Sequence, residues 1–462
     1  MRNSRLATFS LVLLFLPAMS FSQAVNEVFS FSNTHSSAGP EAVVPIQGHD
    51  GAIYGTTSGY GHLLTDGAVF RIAAGGTFSA LHTFSGTDGQ DPVAGLTLGM
   101  DGNFYGTAAA GGRSGKGVLF KVAPSGAYTV LYEFTGGSDG ANPFAQPIQA
   151  SDGNFYGTTQ QGSNNAGTVY RYSPSTGAFA TIFALNADES DGTEIKSSLI
   201  EGSDGNLYGV ASYGGSFTGG TLFELNRSGT LLQLYNFPGG TGGSAPFGNL
   251  VQASDGSFYG TTAGGGISDY GTVFRMSGGA VSILYSFAGP PNDGEGPFSG
   301  LVEGTDGNLY GTTYGGGAGN QSGTIYQINP TGQYRNLYSF FSKMGRYPVG
   351  GLSQHTNGKF YGTAFNGGTY GEGSLYSLNM GLGPFIALVR YTGRIGQPVQ
   401  ILGQGLTGAT AVTVNGVAAA SFKVVSDTYM TAVVPTGATT GPVVVTTATG
   451  TLTSNHSFRI VQ

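Results

Sequence analysis

One phrase recurs seven times along the 462 residues: Asp-Gly, or once Asn-Gly, then two residues, then Tyr-Gly, usually followed by Thr. Its Tyr-Gly pairs begin at Tyr54, Tyr105, Tyr156, Tyr208, Tyr259, Tyr310 and Tyr361, and every step is 51 residues except one of 52. A fixed period of this length means one supersecondary unit copied along the chain, so the fold must be built from equivalent units that bury their faces on one another.

Each unit reads as four short strands, A to D. In the sixth, strand A lies near Leu301-Val302 and the hairpin Thr305-Asp306-Gly307-Asn308 turns it into strand B, Leu309 to Thr313. A Gly-rich loop leads to strand C, Thr324 to Ile328, and Pro330-Thr331-Gly332 turns into strand D, Asn336 to Phe340. Asp-Gly and Asn-Gly between alternating apolar runs are strong hairpin signals, because both residues tolerate positive φ. The seventh unit lacks a strand D after Leu375-Tyr376-Ser377-Leu378, but a matching run, Val28-Phe29-Ser30-Phe31, stands at the other end of the chain. That offset predicts an N-terminal strand pairing into the last sheet and closing a ring. The expected fold is therefore all-β, a seven-bladed β-propeller. An open β-solenoid is the alternative, and it would leave exposed edges at both ends.

Composition agrees with many tight turns. Gly contributes 83 residues and charged residues only 9%, while 39% of the chain is hydrophobic and 12% aromatic. The formal net charge is -7 with no basic patch, which argues against nucleic acid as a partner. Residues 1–24 carry the marks of a secretory signal: Arg2 and Arg5, the apolar run Leu11 to Leu16, then Ser22-Gln23-Ala24. That run is too short to span a bilayer, so no membrane span is expected in the mature chain. There is no cysteine, which excludes disulfides, thiolate metal sites and cysteine nucleophiles.

The Asp-Gly-Asn-Phe/Leu-Tyr-Gly-Thr-Thr phrase and the following Gly-Thr-Val-Phe resemble the Gloeo/Verruco (GloVer) tandem repeats of secreted bacterial proteins, over about residues 26–380. The resemblance implies an exported protein and carries no activity with it. Beyond Met380 the composition shifts to Val, Thr and Ala. Gly396-Gln397-Pro398-Val399-Gln400-Ile401-Leu402-Gly403, Val412-Thr413-Val414-Asn415-Gly416 and Gly441-Pro442-Val443-Val444-Val445-Thr446 resemble an IPT/TIG domain, an immunoglobulin-like β-sandwich that serves as a spacer or docking module. The expected division is a signal at 1–24, the propeller at 25–380 and the TIG-like domain at 381–462.

In a propeller the A-B and C-D turns share one face, and the B-C and D-A loops the other. The loops vary most, and function is more often grafted there than on a repeated frame. They carry Tyr60, Tyr213, Phe217, Tyr270, Tyr314, Phe365 and Tyr370, with acids including Asp66 and Asp269. Aromatic faces beside carboxylates suit sugar rings; the plainer account is that the aromatics pack under their own loops. A second repeated set, Gln47, Leu98, Gln149, Glu201, Gln252, Glu303 and Gln354, ends the A strands, and hydrogen bonding between units is its simplest role. The hairpin aspartates read as turn formers, since no repeat supplies a calcium-loop pattern. The repeated tyrosines read as core. Among the histidines, His62 with Asp66 is the only catalytic pairing worth naming.

No cofactor or metal is expected. These features point to a non-catalytic binding or adhesion protein, secreted, periplasmic or at the cell surface, with a glycan or surface protein as partner. An extracellular polysaccharide lyase or hydrolase and a structural scaffold are the alternatives.

Overall fold

The computed structural model describes residues 24–32, 39–59, 66–162, 166–318 and 322–461, so the signal segment, Tyr60, His35 and His62 lie outside the described residues. Among the described residues between Ala24 and Asn379 there are seven four-stranded antiparallel sheets. The first comprises Ile46–Gln47, Ile53–Thr57, Ala68–Ile72 and Phe78–Thr83, hydrogen-bonded in chain order, and five more repeat that order. The seventh runs Ala24–Ser30, Ser374–Asn379, Phe360–Ala364, Ser353–Gln354, so the N-terminal strand takes the outer place that strand D fills elsewhere. No α-helix occurs among the described residues.

Strand B is buried at every position in all seven sheets, which its apolar and hydroxyl side chains permit. The Gly of Tyr-Gly is required by a close approach. A Cβ on Gly260 would stand 2.5 Å from the Phe274 ring on strand C, and one on Gly311 would stand 2.5 Å from the Tyr326 hydroxyl oxygen. The Tyr before it packs forward: Tyr54 stacks on Phe104 at 4.1 Å, and Tyr105 on Phe155 at 3.9 Å, each in the next sheet. Its hydroxyl donates to the hairpin carboxylate of its own sheet, as from Tyr156 to Asp152 at 2.8 Å, while the other carboxylate oxygen accepts a backbone N–H two residues on. The hairpin aspartates are thus turn formers held by the core tyrosines.

Neighbouring sheets are joined by the residue that ends strand A. Gln149 accepts from Met100 N, Glu201 from Ser151 N, Gln252 from Ser203 N, Glu303 from Ser254 N and Gln354 from Thr305 N. Gln47 accepts from Thr356 N at 2.9 Å, joining the seventh sheet to the first by the same bond. The Thr after Tyr-Gly adds a second link: Thr107 Oγ1 donates to Ala145 O, and Thr363 Oγ1 donates to Val43 O across the same junction. The phenylalanine after strand D, replaced by Leu185 in the third sheet, packs into the following sheet. Phe31 does this from the N-terminal strand, with its ring 5.3 Å from Phe70.

Residues 387–460 build two further four-stranded sheets and a parallel strand pair. One sheet is ordered Ala387–Leu388, Pro398–Leu402, Tyr429–Val433, Phe422–Val424, and the other Val417–Ala418, Ala409–Val414, Val443–Thr447, Gly450–Thr453. Ile401, Val412, Val414, Met430, Val443 and Val445 form one buried cluster between them. This unit rests on the A-B turns. Thr428 Oγ1 donates to His49 O at 2.7 Å, Gln400 Nε2 to Met100 O at 2.8 Å, and the Arg390 guanidinium to Ser151 O at 3.4 Å. Arg459 donates to Ser203 O and Phe385 N donates to Thr356 O. Leu402 is buried beside Leu98, and His49 stacks on Tyr429 at 3.7 Å. The C-terminal unit thus contacts the A-B turns, and the loop face lies opposite.

Two outcomes follow. Phe31→Ala removes a side chain that is 2% exposed and bridges the two ends of the repeat array. It is expected to cost about 3–5 kcal/mol, read as a lowered denaturation midpoint; an unchanged midpoint contradicts the clasp. Burial also holds the His355 imidazole down at about 4, and burial lowers His49 and His456 as well. The unfolded chain therefore binds more protons below pH 6.5, so stability falls as pH drops from about 6.5 towards 4. Thermal melts across that range are expected to show a smaller loss in His355→Ala, Ala being the residue at the equivalent Ala150 and Ala253.

Candidate functional site

On the loop face, the segments entering strand A converge on a depression of about 70 Å³ lined from all seven sheets. The fourth residue before strand A is Ala42, Val93, Phe144, Lys196, Phe247, Phe298 and Val349 in turn. Around the mouth the aromatic rings form a continuous arc. Tyr213 meets Phe247 edge-on at 5.7 Å, Phe247 meets Phe298 at 5.3 Å, Phe298 meets Tyr314 at 5.7 Å, and Tyr314 stacks on Tyr347 at 4.7 Å. Lys196 Nζ lies 5.3 Å from the Phe247 centroid and 5.9 Å from that of Tyr213, and pairs with Glu194 at 2.8 Å. Deeper in, Asn249 accepts the Ser198 N–H at 2.7 Å.

Local backbone sets this geometry. Six of these segments hold the sixth residue before strand A at positive φ: Asp91, Asn142, Glu194, Ala245, Gly296 and Tyr347. Each both donates to and accepts from the backbone of neighbouring loops, as Tyr347 does with Ser322 O and Phe365 N. Tyr347, at φ 56, is the bulkiest side chain in that role. On the side of sheets one and two, burial pushes the Glu41 carboxyl above its ordinary value, with Asp91 adding to the effect. Burial raises Asp91 too, with Asp66 nearby adding to it.

Of the residues expected from sequence, the structure brings Tyr213 and Tyr314 into the arc. Phe217, Tyr270, Phe365 and Tyr370 do not join it; the first, second and fourth are exposed and Phe365 is half-buried. Asp269 shapes its own loop, accepting the Gly265 N–H at 2.8 Å. Asp66 sits beside the raised carboxyls. The sequence reading did not select Lys196, Phe247, Phe298 and Tyr347. For Phe247 and Phe298 the signal was the Pro-Phe or Pro-Val pair that five of the seven units carry before strand A, as at Pro246-Phe247 and Pro297-Phe298; Lys196 follows Ile195 and has no such mark. Among the described residues, no three His, Asp or Glu side chains stand together to hold a metal, and no helix is long and apolar enough to cross a membrane.

The model of the Gloeobacter/Verrucomicrobia repeat matches residues 39–253 and 197–425. The chain belongs to this repeat family. No curated protein matches it in sequence. Among solved structures, a fungal alcohol oxidase of the AA5 family in complex with copper is similar at TM-score 0.54 and 14% identity, over 95% of this chain and 99% of that one. An oligogalacturonate lyase in complex with manganese matches at TM-score 0.47 and 11% identity, over 77% and 92%. At these identities the first likeness shows the fold alone. The four described histidines, His49, His82, His355 and His456, are dispersed and offer no copper set.

Asn tolerates the left-handed region that Tyr347 occupies. In Tyr347→Asn, relief of a backbone cost of about 1–3 kcal/mol offsets loss of a ring stack worth about 0.5–1.5 kcal/mol and of the ring's partial burial. The melting temperature is expected to stay within about 3 °C of the parent while the near-ultraviolet circular dichroism changes; a large drop in melting temperature contradicts the offset.

Proposed function

We propose that this repeat protein is an exported, non-catalytic binding protein whose loop face recognises carbohydrate or an envelope polymer. In this reading residues 1–24 are a cleaved signal. Residues 25–380 are a closed seven-bladed propeller. Residues 381–462 are an immunoglobulin-like TIG domain that serves as a spacer or dock at the cell exterior. The aromatic arc from Tyr213 to Tyr347 carries the proposal. Exposed ring faces stack on the apolar faces of sugars, while Lys196, Glu194 and Asn249 offer hydrogen bonds to hydroxyls. The depression is small, about 70 Å³, which suits a bound chain end or side group better than an enclosed reaction. The seven four-stranded sheets and the bond from Thr356 to Gln47 support the closed ring. The two packed sheets of residues 387–460 support the sandwich.

The test is retention of the mature protein on a panel of bacterial and plant polysaccharides, with mass spectrometry of anything released. Retention without products is expected. Phe247→Ala and Tyr314→Ala should each weaken it about threefold to tenfold, a stacking contact being worth about 0.5–1.5 kcal/mol. Released oligosaccharides would overturn the non-catalytic reading and direct attention to the raised carboxyls of Glu41 and Asp91. Absence of retention on every polymer would favour the scaffold reading.

A further inference from the structure

A second cavity lies away from the loop face. A cleft of about 510 Å³ opens between the turns of the fifth and sixth sheets and the C-terminal unit. Its walls are the turn Glu303 to Gly307 with Ser254, the connector Gly383 to Phe385, and the segment Thr451 to Asn455. Ser254, Thr305, Thr451 and Thr453 present a hydroxyl-rich lining and are exposed. At its edge stands Glu303, whose side chain is 5% exposed.

Glu303 occupies the strand-A end position where four sheets have glutamine and one has leucine. Glutamine suffices for the bond between sheets: Gln47, Gln149, Gln252 and Gln354 each accept the same turn N–H. The charge at Glu303 is therefore not needed for the ring. The other glutamate at this position, Glu201, is neutralised by Arg227 and Arg459, and both of its oxygens are taken by Ser151. Glu303 likewise accepts from Ser254 on both oxygens, but where Glu201 meets two arginines it faces an imidazole, with His456 Nδ1 3.9 Å from Oε2. Burial lowers the His456 pKa, with Glu303 opposing that shift, so near pH 7 the imidazole supplies little positive charge. A buried carboxylate favours a cation of good hydrogen-bonding geometry, since isolated buried charge is costly.

We infer that this cleft is a second binding site, taking a small polyhydroxylated compound with an ammonium group, which pairs with Glu303 while its hydroxyls meet the serine and threonine lining. The volume is that of an ordinary small-ligand site. This site is independent of the aromatic arc.

Titration calorimetry of the full mature protein at pH 7.5 with glucosamine, and with glucose as the uncharged counterpart, tests it. Glucosamine is expected to bind at least tenfold more tightly than glucose. Glu303→Gln should fold normally, carrying the side chain that four sheets already use, and should remove the preference for glucosamine. Thr451→Tyr, which fills the cleft from an exposed wall position, should weaken glucosamine binding at least tenfold. Equal affinity for the two sugars, no heat from either, or an undiminished preference in Glu303→Gln would overturn the inference.

Discussion

A backbone N–H in one hairpin turn donates to the side chain that ends strand A of the following sheet, and this bond joins six of the seven pairs of neighbouring sheets. Strand A is only two residues long in each sheet, so its ladder to strand B contributes little there. The amide or carboxylate oxygen of Gln47, Gln149, Glu201, Gln252, Glu303 or Gln354 spans the gap instead. Leu98 is the exception and offers no acceptor. The C-terminal unit is anchored at that place: Leu402 is buried beside Leu98, and Tyr429 stacks on His49, the turn residue that would have donated. A break in the polar ring has become an apolar seat.

The C-terminal unit sits on the turn side, and the loop face carries the variation. The frame positions barely change from sheet to sheet, because each packs against a fixed partner: tyrosine on its hairpin aspartate, glycine under a strand-C ring, threonine on the next loop carbonyl. The fourth residue before strand A meets no such demand and runs through alanine, valine, phenylalanine and lysine. Its backbone is held by neighbouring loops, so its side chain is free to differ while its position is set. A rigid frame presenting variable side chains around a shared axis is the arrangement binding sites use.

Much of the frame was legible in the sequence because it is local or periodic. The 51-residue spacing gave the units, Asp-Gly gave the hairpins, and the stranded Val28-Phe29-Ser30-Phe31 gave the outer strand of the last sheet. The site was only partly legible. Tyr213 and Tyr314 stood out as aromatics in variable loops, whereas Phe247 and Phe298 sit beside prolines in short segments that look like frame. Their convergence arises from the arrangement of sheets, so residues about 51 positions apart meet at one axis, and no local pattern records that. The seating of the C-terminal unit on the turns was equally hidden, since its contacts go largely to backbone carbonyls of His49, Met100, Ser151 and Ser203. Any residue type supplies such an acceptor.

Tyr347 marks where the frame and the site meet. The left-handed residue before six of the seven A strands makes two backbone bonds, and glycine does this at Gly296 while asparagine does it at Asn142. The frame therefore has no need of a tyrosine there, and a bulky side chain at positive φ costs about 1–3 kcal/mol. What the tyrosine gains is a ring face stacked on Tyr314 at the rim of the depression. A strained conformation kept by a side chain that the frame does not require, beside an exposed aromatic, is better explained by what the rim contacts than by how the sheets hold together.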